Sequence, residues 1–335
     1  DDDYISAGKP VCDWEDTAAR EALVDALARD AHAVLAVLGA RTLDPELRQA
    51  AELVATVVGQ DLEQDDDGTF RIARRVAPDR VISTVDPEAR HGHKTAARGF
   101  DGYKGHIALD PNSEIITDTE VTSGNVGDAQ PAAAMIKDVL ETAKATPDQP
   151  TEIYGDSSYG TAALVEQIET AGAEANVKVQ PPSPPKAGML AQDAFQIDTT
   201  TDTARCPAGQ LVQIRRQKDG SGLAEFGAAC GDCSSRERCT SSKSGRSLHV
   251  HPQHDTLTAA RKRQRDPIWK QRYRSTRPKV ERKLAHLMRR KHGGRRARVR
   301  GRERVRHDFA LLGAAINIHR LAALGVRYAR DRWAY

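Results

Sequence analysis

Two aspartates stand at the ends of β-rich runs, and together they could bind divalent cations. Asp86 closes RVISTVD at residues 80–86, and Asp156 follows the strand-like run TEIYG at residues 151–155. In a mixed sheet the first and fourth strands can lie side by side, so the two carboxylates can meet at one sheet edge. Carboxylates that close repel each other unless cations lie between them, and sites with few protein oxygen ligands suit a pair of Mg²⁺ ions. The positions therefore predict metal-dependent chemistry at phosphorus, although a lone aspartate beside glycine is more typical of a solvated turn.

A third carboxylate is predicted on a basic helix. Glu281 lies in RPKVERKLAHLM, residues 277–288, beside an apolar stripe with Pro278 near the first turn. The stripe consists of Val280, Leu284, Leu287 and Met288. Arg277 precedes Glu281 by four positions, so its guanidinium can orient the carboxylate or hold a phosphate. The alternative is a surface ion pair, the usual use of a lone glutamate on such a helix.

Charge is divided unevenly along the chain. The net charge is +3, but residues 261–310 hold 21 Lys or Arg against four acids and carry +17, so the remainder carries about −14. A basic block of this density favours a partner made of phosphates, because each neutralised phosphate releases counterions. A solvated helix face or a disordered basic arm explains the same composition equally well.

Length and composition exclude a peptide-sized scaffold and a membrane-spanning protein. The 335 residues can bury a substantial core, and 39% hydrophobic with 29% charged residues is typical of a globular protein. No apolar run approaches the ~18 to 20 residues that a membrane span needs, and nothing at the start resembles a signal peptide. We therefore expect a soluble, cytoplasmic protein. The chain begins without Met, so we also expect a processed product or a piece of a longer reading frame.

The periodicity changes from helical to mixed near residue 80. Apolar spacing predicts helices over residues 17–38 and 45–62, with Asp16 or Thr17 as the N-cap of the first. Three β-rich runs follow, and then a helix, a strand, a helix and a strand in alternation, which indicates an α/β domain with a mixed sheet. The apolar run at residues 309–324 predicts a buried closing helix. Trp269 could stack on an extruded base, but packing is the more usual role.

The chain resembles the DDE transposases of bacterial insertion sequences. The matching segments are STVDPEARHGHK, FDGYKGHIALD, EIITDTEVTSGNVGDA, EIYGDSSYG and RPKVERKLAHLM, which occur in family order between residues 80 and 325. The resemblance implies a ribonuclease H-like fold: a mixed five-stranded sheet flanked by helices, with a helical N-terminal part and a Cys-rich insertion before the last catalytic helices. We therefore expect a helical region at 1–79, a catalytic domain at 80–182 and 256–335, and an insertion at 183–255.

The resemblance also implies site residues and partners. Asp86, Asp156 and Glu281 would be the catalytic triad that binds Mg²⁺ or Mn²⁺. A branch of the family carries a Tyr, Arg, Glu and Lys signature, matched here by Tyr273, Arg277 and Glu281. Tyr273 precedes Arg277 by four positions where three is usual, and Met288 stands at the expected Lys, so Arg289 would take the role of that side chain.

The implied DNA-binding residues are Lys94, Lys104, Tyr273, Arg277 and Arg289. The implied partner is double-stranded DNA, at element ends and target, bound by a homodimer or a higher assembly.

The predicted insertion contains four of the five cysteines. Cys206 begins CPAG, twenty-three residues separate it from CGDC at Cys230 and Cys233, and Cys239 follows after five more. This spacing is typical of a structural tetrahedral Zn²⁺ site, with His249 or His251 as substitute ligands. Reduced, unligated thiols and disulfides are the alternatives, and a cytoplasmic setting favours metal over disulfides.

Two rival functions remain open at the level of sequence. One is a nuclease or a domesticated relative with the same fold. The other is a noncatalytic, zinc-stabilised DNA-binding remnant of a transposase. Divalent metal should produce strand cleavage by an enzyme but only DNA binding by the remnant.

Overall fold

The chain folds into two compact units that alternate along the sequence. The computed structural model describes residues 4, 8–95, 97–329 and 332–334. The first unit comprises Asp1–Gly105, Val121–Val126 and Ala297–Phe309, and the second comprises His106–Glu120, Gly127–Arg296 and Ala310–Tyr335. Within the described ranges, no helix combines the length and the apolar character that crossing a membrane requires.

The first unit begins with the two predicted helices. Helix α1 spans Thr17–Gly39, and helix α2 spans Pro45–Asp61. Asp16 caps α1 by accepting a hydrogen bond from the Ala18 amide, and Asp44 caps α2 by accepting one from the Leu47 amide. Side-chain caps of this kind satisfy backbone donors that a helix start leaves unpaired. The sequence prediction for both helices is confirmed.

Residues 80–86 do not form the predicted strand. Strand β1 (Leu62–Gln64) and strand β2 (Phe70–Ile72) make a short antiparallel pair, and an irregular segment then runs up to Asp86. The Gln60 side chain occupies the place of a partner strand: its Oε1 accepts from the Val81 amide and its Nε2 donates to the Val81 carbonyl, both at 2.8 Å. The backbone polar groups of Val81 are thus satisfied by a side chain, and Asp86 ends a loop.

The first sheet is a three-stranded one. Its strands are β3 (Arg90–Thr95), β4 (Arg98–Leu109) and β5 (Ile116–Ser123), in that spatial order, with β3 antiparallel to β4. Gly92 is enclosed in this sheet, since a Cβ there would lie 2.3 Å from the Gly124 carbonyl oxygen. Both β4 and β5 begin in one unit and end in the other.

The second unit contains the alternating helices and strands. In chain order these are α3 (Ala132–Met135), α4 (Lys137–Ala145), β6 (Glu152–Gly155), α5 (Ala162–Thr170) and β7 (Glu174–Val177). Strands β6 and β7 are parallel, and α5 buries Val165 and Ile168 completely in the core of this unit. Across the described residues, the predicted strands form separate two- and three-stranded sheets rather than one mixed sheet of five. The mixed α/β class is correct, while the ribonuclease H-like arrangement stays a prediction.

A curled antiparallel sheet of five strands occupies most of residues 183–255. The strands are β8 (Gln196–Asp198), β9 (Thr203–Arg205), β10 (Leu211–Arg216), β11 (Gly222–Glu225) and β12 (Ser247–Val250), in spatial order β12-β11-β10-β9-β8. Between β11 and β12 lies the four-residue helix α6, Arg236–Cys239. The sheet has its own core, which includes Phe195, Phe226, Cys230 and Cys239. Tight turns at CPAG and CGDC therefore belong to a β-rich segment with its own buried side chains.

Three helices follow the curled sheet. They are α7 (His254–Arg263), α8 (Pro267–Leu287) and α9 (Arg302–Ala323), with the hairpin strands β13 (Arg327–Ala329) and β14 (Arg332–Ala334) after them. Helix α8 begins at Pro267, where Asp266 caps it, so Pro278 lies inside the helix and not in its first turn. Helix α9 buries Phe309 and Ile316 but leaves Leu311 and Ile318 each 69% exposed. The prediction of an entirely buried closing helix is therefore wrong for one of its faces.

Candidate active site

Two donors from distant parts of the chain hold the carboxylate of Asp86. The Tyr103 hydroxyl, on β4, donates a 2.6 Å hydrogen bond to Asp86 Oδ1, and the Gly301 amide donates to the same oxygen at 3.2 Å. Burial, and then the bond to Asp86, raise the pKa of the Tyr103 hydroxyl, so this hydroxyl stays a donor. Within the described residues, no donor bonds Asp86 Oδ2. One oxygen is thus fixed and the other remains open for a ligand.

The start of helix α9 faces acidic side chains in the first unit. Glu88 Oε2 accepts a hydrogen bond from the Arg302 amide at 2.9 Å, beside the bond from Gly301 to Asp86. A helix N-terminus carries partial positive charge and unpaired amides, and it therefore stabilises carboxylates. Gly301 has φ +83°, a left-handed conformation that glycine adopts easily. This glycine allows the chain to enter α9 with its amide directed at Asp86.

In the second unit, Arg277 links Asp156 to Glu281. Its Nη2 lies 2.7 Å from Asp156 Oδ2, and its Nη1 lies 3.9 Å from Glu281 Oε1. The Asp156 carboxylate also accepts a hydrogen bond from the Ser158 amide at 2.9 Å. The Arg277 side chain is only 12% exposed, whereas that of Glu281 is 64% exposed. Helix α8 thus carries a guanidinium to the end of β6, where it pairs closely with Asp156 and more distantly with Glu281.

Tyr273 fixes helix α8 against the end of β6. Its hydroxyl donates to the Gly155 carbonyl at 3.2 Å, and its ring stacks on Trp269 with centroids 4.8 Å apart. Trp269 is 7% exposed, so it packs in the interior and is not presented to a base. Burial raises the pKa of the Tyr273 hydroxyl. Both aromatic residues therefore position the helix that carries Arg277 and Glu281.

The remaining predicted DNA contacts differ in exposure. Lys94 on β3 and Arg289 after α8 are exposed. The ammonium group of Lys104 donates to the Val126 carbonyl at 2.8 Å and is partly buried. Lys94 and Arg289 are therefore open to a phosphate, while Lys104 stabilises the turn after β5.

The four cysteines of the predicted insertion line one small cavity. Cys206, Cys230, Cys233 and Cys239 all border it and are free thiols, and its lining does not include His249 or His251. The cavity has about 20 Å³ of room, which is enough for one water or one metal ion but not for a nucleotide. Burial raises the pKa of the Cys239 thiol. The cavity thus brings the four thiols together, while His249 and His251 lie outside its lining.

Neither the carboxylates nor the thiols stand in a preformed metal-ligand arrangement. Across the described residues, no group of three or more His, Cys, Asp or Glu side chains lies as a metal ion requires. Asp86 belongs to the first unit, whereas Asp156 and Glu281 belong to the second. Within the second unit the structure brings together Asp156, Arg277 and Glu281. Within the first unit it brings together Asp86, Tyr103 and Gly301.

Comparison with known proteins adds one match. Residues 205–322 match a family model described as a transposase DDE domain. This segment is therefore similar to the transposase DDE domain. The resemblance to DDE transposases is thereby confirmed, while a bacterial insertion-sequence origin and the details of the signature stay predictions. The match contains Glu281, Arg277 and the four cysteines but neither Asp86 nor Asp156. Neither a curated protein nor a solved structure matches this chain.

Sequence reasoning missed the groups that hold Asp86. Tyr103 lies 17 positions away and Gly301 lies 215 positions away, so no local spacing connects them to this carboxylate. The sequence does offer a signal for Glu88, because this residue stands two positions after Asp86 in VDPE. Arg277 and Glu281 were predictable, because residues four apart face each other on a helix.

Proposed function

We propose that the chain is the transposase of an insertion sequence, a metal-dependent polynucleotidyl transferase. Water would first hydrolyse the phosphodiester at the element end, and the freed 3′-hydroxyl would then attack a target strand. The observation that carries this proposal is the transposase DDE match over residues 205–322, which contains Glu281. The contact that Arg277 makes with both Asp156 and Glu281 supports the assignment of these two carboxylates to one site.

The donor set suits a hard divalent cation. We assign Asp86, Asp156 and Glu281 as ligands of Mg²⁺ or Mn²⁺, because carboxylate oxygens are the ligands that these ions prefer. Asp86 Oδ2 and the exposed Glu281 carboxylate are open to an ion, while Asp156 Oδ2 must first be released by Arg277. A divalent ion bound there supplies Lewis-acid activation of the attacking oxygen and stabilises charge on the departing oxygen. Arg277, once released, can bind a backbone phosphate.

The proposed partner is double-stranded DNA. The basic segment of residues 261–310 supports phosphate contacts, to which we assign Lys94, Tyr273 and Arg289 in addition to Arg277. Lys104 is the weakest assignment, since its ammonium group already bonds a carbonyl. The reaction joins two element ends to a target, so we propose a homodimer or a higher assembly on DNA, acting at the nucleoid in the bacterial cytoplasm.

Neutralising each proposed ligand tests the function. Asp86→Asn, Asp156→Asn and Glu281→Gln should each abolish Mg²⁺- or Mn²⁺-dependent strand cleavage, because each removes a ligand charge. DNA affinity should stay similar or rise, because negative charge near phosphates is lost. Asp148→Asn and Glu141→Gln, which change exposed acids elsewhere in the second unit, are matched controls.

Cleavage assays beside gel-shift titrations separate the outcomes. Near-normal cleavage by any one variant removes that residue from the triad. A wild-type protein that binds DNA but cleaves none in either ion supports the noncatalytic DNA-binding alternative. Cleavage without any strand transfer supports a nuclease.

We further propose that the cysteine cavity holds one structural Zn²⁺. The convergence of four thiols on a cavity of ion size supports this, although their side chains must draw closer to bind the ion. Protein purified under reducing conditions should contain about one zinc per chain. Cys233→Ser and Cys239→Ser should lose it, and Cys12→Ser, the control outside this segment, should keep it. A metal-free protein with four freely titrating thiols would contradict the proposal.

A further inference from the structure

A buried arginine borders the cysteine cavity without a counterion. Arg246 is 7% exposed and lines the cavity with the four cysteines. Its Nε is buried without a hydrogen-bond partner, and no carboxylate pairs with it among the described residues. A buried guanidinium is costly unless an anion or a full set of acceptors compensates it. Arg246 thus marks a place where negative charge is expected.

The partners that Arg246 does have leave its charge uncompensated. Its Nη1 donates weakly to the Cys239 carbonyl at 3.4 Å, and its guanidinium carbon lies 5.4 Å from the centre of the Phe195 ring. Both contacts are with neutral groups. Arg236, the other arginine of the cavity lining, is satisfied differently, because it donates to the carbonyls of Cys230, Ser242 and Lys243. Of the two arginines in the cavity lining, Arg246 is the one with a buried nitrogen, Nε, that has no hydrogen-bond partner among the described residues.

The backbone at Arg246 also points at a thiol. The Arg246 amide donates to Cys230 Sγ at 3.4 Å. Hydrogen bonds to sulfur stabilise the thiolate form, which is the form that binds metal ions. The guanidinium of the same residue lines the cavity and reaches the Cys239 carbonyl through Nη1. One residue thus offers two groups that favour anionic sulfur in this cavity.

We propose that Arg246 is the outer-sphere cation of a tetrathiolate metal site formed by Cys206, Cys230, Cys233 and Cys239. This inference rests on the proposed zinc site. Four thiols that bind a divalent ion release four protons, and the resulting cluster carries two negative charges. The guanidinium compensates one of these charges inside the segment. The cluster in turn supplies an anion next to the buried Arg246 guanidinium.

The test compares zinc affinity across charge variants of the full chain. Arg246→Met removes the charge and keeps the length, so the zinc dissociation constant, measured by competition with a chromophoric chelator, should rise roughly 10- to 100-fold. Arg246→Lys keeps a charge and should recover much of the affinity. Arg215→Met, on strand β10 of the same sheet, removes an exposed arginine that pairs with Glu225 and should leave affinity unchanged.

A purely structural role for Arg246 predicts a different pattern. The metal-free protein would then be destabilised in Arg246→Met, with zinc affinity equal to that of the wild type, and this result would overturn the inference. The pH at which Co²⁺ binding is half complete is a second readout, and it should rise in Arg246→Met because the thiols lose a neighbouring cation. If Arg246→Met does not fold, Arg246→Gln takes its place in both measurements. Wild-type protein that binds neither ion ends the zinc proposal itself, whereas tight binding that is insensitive to Arg246 ends only this inference.

Discussion

At the level of single residues, the carboxylate of Asp86 is the best-fixed group of the candidate active site. Tyr103 and Gly301 bond the same oxygen, so the orientation of the carboxyl group is set before any ligand arrives. A residue that hydrogen-bonds a metal ligand without binding the metal typically changes the metal affinity when it is mutated. Tyr103 therefore has a measurable effect on metal binding if Asp86 is a ligand.

We predict that Tyr103→Phe weakens divalent-metal binding without removing the ligand. The lost hydrogen bond frees the Asp86 carboxylate to rotate, so the Mn²⁺ concentration for half-maximal cleavage should rise about tenfold or more. Mn²⁺ binding followed by calorimetry should shift in parallel. Tyr154→Phe is the control, because its hydroxyl bonds Glu152, which is outside the proposed triad. Equal metal dependence in Tyr103→Phe and wild type would show that this hydroxyl does not position the ligand.

The side-chain contacts of the candidate site differ in whether the sequence alone predicts them. The Arg277 and Glu281 pair followed from helical spacing, and their side chains do approach to 3.9 Å. The contact between Arg277 and Asp156 spans 121 positions and required the fold. The unpaired charge of Arg246 is equally invisible in sequence, since only burial distinguishes it from the many exposed arginines.

At the level of elements, helices were predicted better than strands. Both N-terminal helices have side-chain caps close in sequence, so local residues determine where they begin. The segment RVISTVD has the composition of a strand, but Gln60 satisfies the backbone of Val81 and no partner strand is needed. Strand formation depends on a neighbour that can lie anywhere in the chain, and composition cannot report this neighbour.

The entry into helix α9 is an element that can be tested through one glycine. Gly301 has φ +83°, and a Cβ on it would lie 3.3 Å from Glu88 Oε2. Gly301→Ala should therefore lower the free energy of unfolding by about 1 to 2 kcal/mol, since other residues adopt this conformation at a cost. Urea denaturation followed by circular dichroism measures this change.

Gly59→Ala is the matched control for that substitution. Gly59 lies in helix α2, and a Cβ there meets no atom within 4 Å. Alanine should stabilise that helix by about 0.5 to 1 kcal/mol, because it has less conformational freedom to lose. A neutral or stabilising effect of Gly301→Ala would mean that the chain enters α9 in another conformation.

At the level of the whole molecule, the basic segment uses part of its charge internally. Arginines of residues 261–310 pair with acids of their own units, and one of these acids, Asp308, lies within the segment itself. The pairs include Arg263 with Glu169, Arg272 with Glu174, Arg277 with Asp156, Arg282 with Glu114 and Arg298 with Asp308. Composition alone counts these side chains as available to DNA. The number of phosphates contacted should therefore be well below the number of basic residues in the segment.

The exposed cluster Arg289, Arg290 and Lys291 should account for a distinct share of DNA affinity. These side chains follow the end of helix α8 and are all exposed. Each phosphate contact contributes about −0.9 to the slope of the logarithm of the binding constant against the logarithm of salt concentration. Replacing all three with Ala should therefore flatten that slope by up to about 3 if each contacts a phosphate. The control replaces Arg20, Arg41 and Arg48 with Ala, which removes the same charge from exposed positions of the N-terminal helical region. Fluorescence-anisotropy titrations at several salt concentrations measure the slope for each variant. An equal decrease of the slope in the two variants would mean that net charge, and not a contact surface after α8, attracts the DNA.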